Sequence, residues 1–153
     1  MTRISYLLVA ALVLLVAPRA LAERAGGLFS PINVEVGGFP NDQGRLACAL
    51  YDKPDGFPHD RSKAIRRVTG KISEGMATCV FNNVPTGTYA VAFFQDAKMS
   101  GEIVKNMLGI PQEGYGFSND AKPSAMSPPS FSAAAFQHDG SEPTTLRLIL
   151  QKF

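Results

Sequence analysis

The sequence has 153 residues, 45% of them hydrophobic and 18% charged, with a formal charge of +2, two cysteines and two histidines. That length suits one domain with a proper core, and so small a charge lacks the basic excess of a nucleic-acid binder. The cysteines are far apart and the histidines show no ligand spacing, which argues against a zinc site.

The chain opens with an export signal. Arg3 gives a short positive start, residues 6–17 are almost uninterruptedly apolar, and Pro18 and Arg19 break the run. Ala20-Leu21-Ala22 then puts small residues where a signal peptidase inspects them. The apolar run is shorter than the about 20 residues of a spanning helix. No later stretch reaches that length, and no cysteine sits near the cut for a lipid anchor. Residues 1–22 are therefore expected to be a signal peptide cleaved after Ala22. Residues 23–153 are expected to form one soluble domain, periplasmic or secreted. Arg3 and Arg19 would leave with the signal, so 13 basic and 13 acidic side chains remain. The cluster Arg61, Lys63, Arg66 and Arg67 reads as a solvated face. In an oxidising compartment Cys48 and Cys79 are expected to form a disulfide. The alternative is two separately buried thiols.

Beyond the signal the pattern is strand-like. Ile32, Val34 and Val36 alternate with Asn33 and Glu35. Asn41-Asp42-Gln43-Gly44 is a turn signal, and Leu46, Cys48 and Leu50 alternate again, so the two runs read as a hairpin. Residues 52–60, with two prolines and three aspartates, form a loop. Residues 65–73 are a weaker strand, with Ser62 to Arg67 open to one helical turn instead. Ala77, Cys79 and Phe81 share a strand face, Val84-Pro85-Thr86-Gly87 is a turn, and 88–95 is the best central strand. Residues 96–129 lose periodicity and are rich in Gly, Pro, Ser and Asn; a loop of that length is commonly functional or flexible. Residues 131–138 are a strand, or a short helix followed by one. Asp139-Gly140 turns the chain, and Leu146, Leu148 and Leu150 alternate in a last strand. About seven strands with turns between them predict a single antiparallel β-sandwich, immunoglobulin-like or transthyretin-like, with one long irregular loop.

Four segments together carry a family resemblance. They are Leu50-Tyr51-Asp52 with Gly56-Phe57-Pro58, Val84-Pro85 with Gly87-Thr88-Tyr89-Ala90-Val91, the run Leu108 to Asn119, and Pro128-Pro129-Ser130-Phe131 with Ala134-Ala135-Phe136. The run Gly109-Ile110-Pro111-Gln112-Glu113-Gly114-Tyr115-Gly116-Phe117-Ser118-Asn119 is the most specific. In this order they resemble the bacterial secreted proteins grouped as family 2141 of the domains of unknown function. The resemblance implies an exported β-sandwich and no particular activity. Members of that family often carry an Asp-x-Asn-x-Asn-Gly-x-x-Asp loop after the strand that ends here at Gln95, similar to the start of a calcium loop. Here Asp96 and Gly101 match, but Lys98, Ser100 and Val104 replace the other ligands. No tight calcium site is expected, unless Glu102 or Glu113 rescues it.

No paired acids, nucleophile with base, nucleophile elbow or phosphate cradle stands out. His59 and His138 read as exposed loop histidines. The best candidate binding residues are Asp96, Glu113, Tyr115, Ser118 and Asn119, in or beside the long loop. They read either as a recognition surface or as a self-packed cover whose polar groups bond its own backbone. The expected role is a non-catalytic binding or envelope interaction module with no cofactor, its partner a protein, a glycan or a small molecule. The alternative is a small periplasmic hydrolase using Glu113 and Asp96 as acid and base near Tyr115.

Overall fold

The computed structural model describes residues 28–124 and 127–152; the expected signal peptide lies outside them. The described residues contain eight strands: β1 (Phe29–Gly37), β2 (Arg45–Tyr51), β3 (Arg66–Ser73), β4 (Met76–Pro85), β5 (Gly87–Asp96), β6 (Tyr115–Phe117), β7 (Phe136–His138) and β8 (Thr144–Ile149). One short helix, α1 (Phe131–Ala134), precedes β7, so 131–138 is helix then strand. A 3-10 turn at Arg61–Lys63, capped by the Asp60 carboxylate on the Ser62 amide, precedes β3. The helical turn and the weak strand expected around 62–73 thus both exist, one after the other.

All eight strands belong to one sheet, in the order β6-β5-β2-β3-β4-β1-β8, with β7 also paired to β5. Every ladder is antiparallel except β1 with β8. The sheet curls because β3 changes partner along its length: Arg66 to Lys71 ladder with β2, and Ile72 and Ser73 with β4. Gly70 sits at that corner, where a Cβ would strike the Thr78 carbonyl. The ends of the curl then meet. Tyr115 of β6 and Gln151, just past β8, exchange backbone hydrogen bonds of 2.9 and 2.7 Å. The result is all-β and nearly closed, like a barrel.

Two expectations change. The runs at 32–36 and 46–50 do not form a hairpin: β1 pairs with β4 and β8, and β2 with β3 and β5. Their apolar faces meet in the interior instead of lying side by side. The connection between them is tied to the β3–β4 turn, where the Asp42 carboxylate accepts from the Glu74 and Gly75 amides at 3.1 and 3.2 Å. The long irregular segment also contains a strand, β6, too short to show a period.

The interior holds Ile32, Val34, Leu46, Leu50, Phe81 and Val91, none more than 2% exposed. Cys48 and Cys79 are joined by a disulfide that links β2 to β4 with their Cα atoms 6.6 Å apart. Those strands are separated by β3 in the sheet, so the bond spans the curl.

Candidate functional site: a pocket on the outer face of the sheet

Period two sends alternate residues of β2 and β5 to opposite faces. Leu46, Cys48, Leu50, Tyr89, Val91 and Phe93 point inward. The outer positions are mostly alanine: Ala47, Ala49 and Ala90 are buried and Ala92 half-buried. They are not solvated, because the long segment folds back over them. Phe94, Tyr115, Phe117, Ala121 and Ala134 form a second buried cluster there, with Phe57, Ile103 and Phe131 packed against it. Phe57 makes edge contacts with Tyr51, Phe117 and Phe131, with ring centroids 5.3 to 6.0 Å apart. Gly116 lets β6 approach β5 closely, since a Cβ there would strike the Phe93 ring.

Between this face and its cover lies a pocket of about 530 Å³, within the range of small-molecule sites. Ala92, Phe94, Ile103, Pro111, Tyr115 and Phe117 give it an apolar floor and wall. Arg61, His59 and Lys105 also line it, and no Asp or Glu is among its described lining residues. Arg61 comes from the 3-10 turn. Its guanidinium lies 4.9 Å from the Phe94 ring centroid and donates to the Gly101 carbonyl at 2.5 Å. Burial raises the Tyr115 pKa above its ordinary 10.0, so the hydroxyl stays protonated.

The sequence candidates are placed as follows. Tyr115 lines the pocket and is 7% exposed. Asp96 and Glu113 come to the same stretch of backbone but face loop amides. The fully buried Asp96 accepts from the Ser100 and Gly101 amides at 2.8 and 2.9 Å and from Arg45 Nε at 3.0 Å. Burial raises its pKa, but the Gly101 amide, the Arg45 guanidinium and the Ser100 amide outweigh that and hold it below the usual aspartate value. Glu113 accepts from the Ala97 amide at 3.2 Å and the Val104 amide at 3.0 Å, and borders a smaller polar cleft beside Gln95 and Lys152. Ser118 and Asn119 lie apart from these carboxylates, against the end of α1. Buried Ser118 Oγ accepts from the Val91 amide at 2.9 Å and donates to the Ala134 carbonyl at 2.5 Å. Asn119 Nδ2 donates to the Ala135 carbonyl at 2.6 Å.

The residues after β5 do not fit a hard cation. Both Asp96 oxygens already accept hydrogen bonds, and the positive charge beside them is Arg45. Glu113 is committed to two amides and Glu102 is exposed. Among the described residues no group of three His, Cys, Asp or Glu side chains is arranged for a metal.

His138 corrects the sequence reading: it is 1% exposed, not in an exposed loop. Its Nε2–H donates to the Val84 carbonyl at 3.1 Å, and Nδ1 shares a hydrogen bond of 2.8 Å with the Thr144 hydroxyl. His59 is exposed. Sequence reasoning missed Arg61, Phe94, Ala92 and Lys105 as pocket residues. A signal did exist for the floor: four alanines on the face that a one-sided sheet would leave polar. None existed for Arg61, whose run of basic neighbours reads as a solvated face.

The family model described as "uncharacterized protein conserved in bacteria (DUF2141)" matches residues 34–146. The chain belongs to that family. The match runs from β1 into β8 and includes both cysteines and the pocket lining. No curated protein and no solved structure matches the chain. Among the described residues no helix is long and apolar enough to cross a membrane.

Proposed function

We propose that this DUF2141 protein is an exported, non-catalytic binding module that holds a small apolar molecule between its sheet and a cover that includes Ile103, Pro111, Phe117 and Phe131. The carrying observation is the pocket of about 530 Å³ whose lining includes Ala49, Ala92 and Phe94 of the sheet's outer face. The two halves of the curled sheet, bridged by Cys48–Cys79, act as the layers of a sandwich that keeps this floor rigid. The leader-like first 22 residues and the cysteine pair support a periplasmic or secreted location. The hydrolase alternative has less support, because Glu113 and Asp96 spend their oxygens on backbone amides.

Titration with N-phenyl-1-naphthylamine, a neutral apolar probe whose fluorescence rises in an apolar site, tests the reading. The wild-type chain should bind it, and Ala92→Phe, which fills the pocket from its floor, should not, with an unchanged melting temperature. Equal binding by both proteins would remove the pocket as the site. Fractionation of expressing cells, with N-terminal sequencing for Glu23, tests export.

A further inference from the structure

We infer that the ligand is a small free molecule with one anionic group on an apolar body, its anion held by Arg61 and Lys105 at the pocket. This rests on the pocket being the binding site, as proposed above, and adds the class of ligand.

Residues 23–153 carry equal numbers of acidic and basic side chains. Even so, the described lining brings together Arg61, Lys105 and His59 with no carboxylate. A cation would meet repulsion there without a counter-charge, which selects against it. The Asp96 charge does reach Arg61, but that carboxylate is held by Arg45, Ser100 and Gly101.

Arg61 is also oriented for the task. A guanidinium has five N–H donors in a planar fork. Among the described residues, the Gly101 carbonyl is the acceptor for one of them. Its position over the Phe94 ring restrains the plane. The remaining edge suits a carboxylate, sulfonate or phosphate, which such a fork binds through paired hydrogen bonds. Half-burial lowers the cost of stripping water from the guanidinium when the ligand arrives, since part of it is already gone. Lys105 adds a second, exposed cation on the cover. Ala92, Phe94, Ile103 and Phe117 supply apolar surface for the body of the ligand.

The test compares two probes with one ring system, the neutral N-phenyl-1-naphthylamine and the anionic 1-anilinonaphthalene-8-sulfonate. The sulfonate should bind about tenfold more tightly, as a charged hydrogen bond implies. Arg61→Gln should erase that difference, read as the ratio of the two affinities in the same variant. Lys105→Gln should narrow it about twofold, as an exposed charge does. Lys105→Gln and the loss of the gap at high salt keep the test open if Arg61→Gln fails to fold. Equal affinities, or a gap that survives both variants and high salt, would overturn the anion assignment and leave the pocket standing. If neither probe binds, the pocket reading falls and this one with it. Sedimentation with phosphatidylglycerol vesicles, without binding of the free sulfonate, would transfer the cations to a bilayer and overturn the free-ligand assignment.

Discussion

Strands β2 and β5 are buried on both faces, and the two faces are buried differently. Inside, Leu46, Leu50, Val91 and Phe93 fill the space between the curled halves, and a disulfide crosses it. Outside, alanines leave room for an irregular cover whose backbone amides need partners of their own. Asp96 and Glu113 supply them, to Ala97, Ser100, Gly101 and Val104, while Ser118 ties the cover to the Val91 amide of β5. One face is held by volume, the other by a smaller aromatic cluster together with polar ties, and the second borders the pocket. Rigid packing and an open pocket are thus separated to opposite sides of the same two strands.

Breaking the inner face should cost most. Cys48→Ala with Cys79→Ala opens a long closed loop and should lower stability by about 3–4 kcal/mol, read from urea unfolding. Probe binding by the fraction that remains folded should be unchanged. Asp96→Asn comes next, since it leaves Arg45 without its buried partner; about 2 kcal/mol should be lost. Its pH dependence is distinctive. The folded-state pKa is depressed, so the Asp96 contribution is fully present above the ordinary value of 3.8 and disappears as pH falls through the lower folded value. The Asn variant should lack that acid limb in a melting series.

Glu113→Gln should cost about 1 kcal/mol. It should speed amide exchange at Ala97 and Val104 while exchange in β2 stays slow. Equal acceleration in both places would erase the distinction between the faces. The smallest effect expected is none: calcium should leave the melting temperature unchanged, because Arg45 and two amides already satisfy Asp96. A calcium-dependent rise would overturn that reading of the loop.

Much of the strand pattern was legible in the sequence, because burial on one face imposes a period of two that survives in side-chain identity. The turns around Gly44, Gly87 and Gly140 were legible too, through residue types that suit them. The Cys48–Cys79 pair followed from compartment and count. Pairing was less legible. Local alternation at Ile32–Val36 and Leu46–Leu50 suggested a hairpin, yet sequence proximity says nothing of which edges meet after β3 changes partner. The site was least legible. Glu113 and Ser118 stood out by residue type, but whether an oxygen faces a ligand or an amide depends on where a remote backbone lies. Sequence by itself determined most of the strands and the family, because each is written in local period or motif, and it made the disulfide expected from cysteine count. Tertiary structure alone decided what covers the alanine face, that Arg61 reaches it over Phe94, and that a pocket remains. Those facts come from segments far apart in the chain meeting across one sheet, which no local pattern encodes.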